Sequence, residues 1–80
     1  MPKEDVAQEV KIRWGAAVKQ RRGECGLLQD QLAEKAGIDQ GFLSTIETGK
    51  HMPSLTTRIA LAKALDTTHD SLFSVDEVVR

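Results

Sequence analysis

Apolar residues recur along this chain at helical spacing, and the pattern predicts five helices and no strand. Val6, Val10, Trp14, Ala17 and Val18 fall at i, i+4, i+8, i+11 and i+12, which marks one stripe of a long first helix from about Lys3 to Arg22. Pro2 stands near its start, and Gly23 and Gly26 close it. Gly15 inside this helix costs about 1 kcal/mol relative to alanine, so another helix is expected to pack closely there. Leu32, Ala33 and Ala36 give a second helix from about Gln29 to Ala36, and Leu43 and Ile46 a third from Gln40 to Thr48. Leu55, Ile59, Ala62 and Leu65 form the expected inner face of a fourth helix, Leu55 to Leu65, with Ser54 as N-cap. A short fifth helix follows from His69 to about Phe73, capped by Thr68.

The second and third helices meet at a glycine. Gly37 takes a positive φ at no steric cost, Ile38 plugs the corner, and Asp39 supplies a carboxylate for the free amides of the next turn. Burying Leu43 and Ile46 leaves Gln40, Gly41, Phe42, Ser44 and Thr45 on the outside of the third helix. Two short helices hinged in this way are the sequence form of a helix-turn-helix. A polar N-terminal helix face held rigidly by a second helix suits the major groove of DNA.

Trp14-Gly15, Val18, Arg22, Gly26-Leu27, Gln29, Leu32-Ala33, Ala36-Gly37, Leu43-Ser44, Ile46-Glu47, Gly49, Pro53-Ser54-Leu55, Ala62, Leu65 and Leu72-Phe73 stand in order, without a gap, from Trp14 to Phe73. In these pieces the chain resembles the lambda repressor and Cro-like helix-turn-helix family, an all-α, compact five-helix DNA-binding fold. The resemblance implies a sequence-specific transcriptional regulator that binds a pseudo-palindromic operator in double-stranded DNA as a homodimer. Its third helix would then lie in the major groove. The run from Asp39 to Ser44 and the short length also resemble stand-alone phage repressors and the controller proteins of restriction-modification systems. The competing class is a protein interaction module of the same fold, an antitoxin or adaptor, which an exposed apolar patch on the fourth or fifth helix would favour.

Carried over by position, the family's roles give a DNA-binding set of Gln29, Gln40, Gly41, Phe42, Thr45, Lys50 and His51. Gln29, opening the second helix, would donate its amide and backbone N–H to a phosphate. Gln40 would read a base, since its side chain both gives and takes a hydrogen bond at the adenine edge. Gly41 either lets the backbone approach the groove or leaves a position unread. Phe42 either lies against sugar-phosphate or a thymine methyl, or is a partly buried staple against the following loop. The resemblance turns Ser44 inward and Thr45 toward DNA, and lets Lys50, His51 and Ser54 touch phosphate. Arg22 and Glu47 match a structural ion pair beneath the recognition surface. Two positions depart from the family: Leu28 replaces the usual Ser or Thr N-cap, and Arg58 stands where an apolar residue is usual, so helix four is rotated or Arg58 faces a partner.

Composition narrows the reading. Eighty residues form one domain spanning 1–80, small enough that an oligomeric partner would help bury its surface. The formal net charge is −1, yet from Lys11 to Lys63 nine Lys/Arg face five Asp/Glu, so the middle is basic and the ends acidic. Phosphate binding needs a local positive surface, and this distribution permits it. The single cysteine, Cys25, forms no internal disulfide, and no apolar run is long enough for a signal peptide or membrane span, so a cytoplasmic, non-membrane protein is expected. No metal-ligand cluster, activated nucleophile or phosphate-binding glycine loop is present, which points away from an enzyme, a cofactor or a small-molecule ligand. Finally, Leu72, Val75 and Val79, with Val78 beside them, predict an amphipathic stripe in the C-terminal tail (74–80) as a dimer contact.

Overall fold

A computed structural model describes residues 3–72, with side chains from Val6 onward. Five helices follow one another: α1 (Lys3–Glu24), α2 (Gln29–Ala36), α3 (Gln40–Glu47), α4 (Leu55–Ala64) and α5 (His69–Leu72), with no strand among the described residues. Trp14 and Val18 of α1, Leu32 and Ala33 of α2, Leu43 and Ile46 of α3, and Leu61, Ala62 and Leu65 at the end of α4 form the core. Leu27, Ile38, Phe42, Met52 and Leu72 pack around its rim. The C-terminal stripe, beyond Leu72, lies outside the described residues.

The helix ends follow local chemistry. Asp39, Ser54 and Thr68 accept backbone N–H bonds from Phe42, Thr57 and Ser71, capping α3, α4 and α5 as the sequence predicts. Leu28 offers α2 no such acceptor, and Gln31 compensates in part by accepting the Leu28 N–H at 2.8 Å. At the end of α2, Ile38 N–H reaches Ala33 O and Gly37 N–H reaches Glu34 O while Gly37 adopts φ 72°, the geometry expected of the hinge. The end of α4 closes likewise through Asp66, a non-glycine residue at φ 56°. Arg21 secures it by donating to the carbonyls of Leu65 and Asp66 at 3.0 and 3.3 Å.

Three expectations are corrected. Helix α1 continues through Gly23 to Glu24 and turns at Gly26, because a glycine within a helix lowers its stability only modestly and nothing crowds Gly23. Val6 is 46% exposed and Val10 half-buried, so the buried stripe of α1 begins at Trp14. On α4 the inner face is Leu61, Ala62 and Leu65, while Leu55 and Ile59 are exposed. Two stripes of i, i+4 leucine or isoleucine compete on that helix, and small Ala62 beside Leu61 and Leu65 lets the second approach its neighbours closely.

The rotation leaves Arg58 half-buried. Its Nη1 donates to His69 Nε2 across 3.4 Å, and its Nε lies buried with no partner among the described residues. His69 in turn stacks obliquely near Trp14, with ring centroids 6.3 Å apart. A buried guanidinium N–H without an acceptor costs stability. Arg58→Met, which keeps most of the volume, is therefore expected to leave the melting temperature unchanged or raise it, by up to about 1 kcal/mol of stability. A drop of several degrees in a thermal melt would show that Arg58 has a compensating partner.

Candidate nucleic-acid interface

The position of α3 is set from α1. A Cβ at Gly15 would fall inside contact distance of the Ile46 carbonyl oxygen and 3.1 Å from that of Glu47, so the two backbones touch directly where the sequence predicts a close approach. One turn later Gly49, at φ 79°, packs on Ile12: a Cβ there would meet Ile12 Cγ1 at 2.8 Å. The last turn of α3 and Gly49, two residues beyond it, are thus seated on α1 through glycines from both sides.

Beneath this joint Arg22 and Glu47 form the expected pair. Arg22 Nε and Nη2 donate to the two carboxylate oxygens at 2.8 and 3.1 Å, and Nη1 donates to the Leu27 carbonyl at 3.0 Å. The Glu47 side chain is only 3% exposed. Its hydrogen bond to Arg22 raises the guanidinium pKa above the ordinary arginine value, and charge attraction adds to this against the opposing effect of burial. The pair ties the end of α1, the loop before α2 and the end of α3 together.

Above it the polar set divides. Gln40 and Gly41 stand exposed on the first turn of α3, and Lys50 and His51 are exposed in the loop after it. A Cβ at Gly41 would lie 2.9 Å from Asp39 Oδ2, so the missing side chain also keeps the N-cap carboxylate in place. Phe42 is half-buried, packs at the rim of the core and meets the His51 ring edge-on at 5.0 Å. This is the staple alternative, and it corrects the placement of Phe42 wholly outside. Thr45 is half-buried with its hydroxyl bound to the Phe42 carbonyl at 2.7 Å, and Ser44 is half-buried as well.

Gln29 is also half-buried, and its Nε2 donates to Glu47 Oε1 at 3.1 Å. No local sequence signal foretells this bond, since the partners lie 18 residues apart. Among the described residues no group of His, Cys, Asp and Glu is placed to hold a metal ion, and no helix is long and apolar enough to cross a membrane.

The helix-turn-helix family model matches residues 18–72 of the chain. The chain is 32% identical over 75 residues to the control protein C.SmaI of Serratia marcescens, covering 92% of this chain and 89% of that protein. It is 34% identical over 61 residues to an uncharacterized HTH-type transcriptional regulator of Methanothermobacter thermautotrophicus, covering 75% and 88%. Among solved structures it is similar to the restriction-modification controller protein C.AhdI of Aeromonas hydrophila, at 32% identity and a TM-score of 0.75, covering 78% of this chain and 94% of that one. With the Asp39-capped α3, the glycine hinge and the buried Arg22–Glu47 pair in place, the chain belongs to the lambda repressor and Cro-like helix-turn-helix family of DNA-binding transcriptional regulators, which are not enzymes.

Proposed function

We propose that this chain is a cytoplasmic regulator that binds a pseudo-palindromic operator as a homodimer, with α3 in the major groove. The observation that carries this reading is the first turn of α3: Gln40 is exposed and polar with the bare backbone of Gly41 exposed beside it, while the far end of the same helix is fixed on α1 through Gly15 and Gly49. Rigid placement suits base recognition, because misplacing a bidentate hydrogen bond forfeits its discrimination. On this reading Lys50 and His51, exposed in the loop, meet phosphate and Thr45 the groove wall. Its similarity to a control protein and to a restriction-modification controller protein supports a regulatory role.

Selection of bound sites from random duplex DNA tests the reading. The expected consensus has two related half-sites about 34 Å apart. Failure to enrich any sequence would overturn it. Within the selected site, Gln40→Ala should weaken specific binding by about 1 to 3 kcal/mol and leave binding to unrelated duplex nearly unchanged. Equal losses on both would assign Gln40 to the backbone.

One observation favours a second reading. Leu55 and Ile59 lie one turn apart on α4 and are 55% and 41% exposed, an apolar stripe that a partner would cover. If that partner is a second copy, the stripe serves the dimer; if it is another protein, the chain is an interaction module. Light scattering at micromolar concentration separates the two. A dimer that Leu55→Lys converts to a monomer supports the first, and a chain that stays monomeric with and without its operator moves the function to the second.

A further inference from the structure

Glu47 is the only acidic residue buried among the described residues, and its carboxylate accepts three hydrogen bonds, two from Arg22 and one from Gln29. The ion pair by itself needs only the first two. The third leaves the core and ends on the first residue of α2. A carboxylate accepts and does not donate, so the Gln29 amide must turn its NH2 group toward Glu47, which fixes both its rotamer and its flip. That NH2 group carries a second proton, and the Gln29 side chain makes no other hydrogen bond among the described residues. The backbone N–H of Gln29 opens the helix, where such groups lack an intrahelical acceptor.

Resting on the DNA-binding reading, we propose that Glu47 is a positioning residue for the DNA backbone contact. It holds the Gln29 amide so that side chain and main chain offer two donors to one phosphate, and it does so without touching DNA. Arg22 makes this workable. An unpaired carboxylate beneath the contact would repel the phosphate, whereas the bidentate arginine cancels its charge and leaves one oxygen able to accept from Gln29. The ion pair and the interface are thus one hydrogen-bonded unit joining α1, α2 and α3.

The test is a double-mutant cycle read by binding to a short mixed-sequence duplex at fixed salt. Every variant is compared at a temperature where circular dichroism shows it folded. Gln29→Ala is expected to weaken binding about tenfold, the loss of a hydrogen bond to a charged acceptor. Glu47→Ala should also weaken it about tenfold, although removing a negative charge near a polyanion strengthens binding on charge alone. In the Glu47→Ala background, Gln29→Ala should then cost less than about twofold, because the amide has already lost its orientation. Because Glu47→Ala also loosens the fold, Glu47→Gln repeats the cycle at near-native volume. A Gln29→Ala loss of the same size in every background overturns the proposal, since Glu47 would then be structural only. A Gln29→Ala protein that binds like the parent overturns it too. A parent that binds no duplex of any sequence removes the DNA-binding reading and this proposal with it.

Discussion

Replacing Gly15 with alanine should lower the stability of the domain by about 2 kcal/mol or more and its melting temperature by roughly 10 °C, despite alanine's better helix propensity. The gain from propensity is about 1 kcal/mol. Against it stands a methyl group pressed into the Ile46 carbonyl oxygen, an atom of backbone that cannot rotate away. Overpacking of this kind costs about 1 to 3 kcal/mol and more where rigid groups collide. Relief requires α1 and α3 to separate, which opens the core at Trp14, Val18 and Ile46. Gly23 provides the internal control, being in the same helix with nothing within 4 Å of where the added methyl would stand. Gly23→Ala should stabilise the protein by about 0.5 kcal/mol. Thermal and urea melts of the two variants decide the matter, and a Gly15→Ala protein as stable as its parent would show that the helices part at little cost.

Arg22→Ala and Glu47→Ala should each destabilise the fold by about 3 kcal/mol, and the double substitution by clearly less than the sum. Removing one member strands the other: Glu47 is 3% exposed and Arg22 17%, so neither gains much water when its partner is lost. The arginine side of the pair is insensitive to ordinary pH. Its folded pKa lies above the unfolded value, so its contribution is complete below the ordinary arginine pKa and fades only as pH rises through the raised one. The loss in Arg22→Ala should therefore be the same at about pH 7 and about pH 9. Both variants should also bind DNA more weakly, since α3 loses its anchor. Additive losses in the denaturant melts would mean that the two groups are not energetic partners.

What can be read from the sequence is what neighbouring residues decide among themselves. Asp39, Ser54 and Thr68 cap their helices through amides three residues on, and Gly37 turns the chain through its own φ. Gly15 is legible as a close approach because a glycine in a helix needs a reason. The phase of α4 is not. Leu55 and Ile59 offer as regular a stripe as Leu61 and Leu65, and only packing against α2 and α5 chooses between them. Gln29 and Phe42 show the same limit at the site. Their helix positions point both outward; Glu47, 18 residues away, draws Gln29 partly in, and for Phe42 only the packing against His51 decides between the outward and the staple alternatives.

The glycine joint between α1 and α3 has an evolutionary corollary. Its contacts are made by main-chain atoms at Ile46 and Glu47 and by Ile12 against Gly49, none of which belongs to the exposed turn at Gln40 and Gly41. A substitution at Gln40 leaves the seat of the helix untouched, so under the proposed reading of α3 as the base-reading helix the target sequence can change in a single step without a compensating change in the interior. Substitutions at Gly15 or Gly49 have no such freedom. Under that reading, freedom to change the target and constraint on the architecture fall at opposite ends of one eight-residue helix.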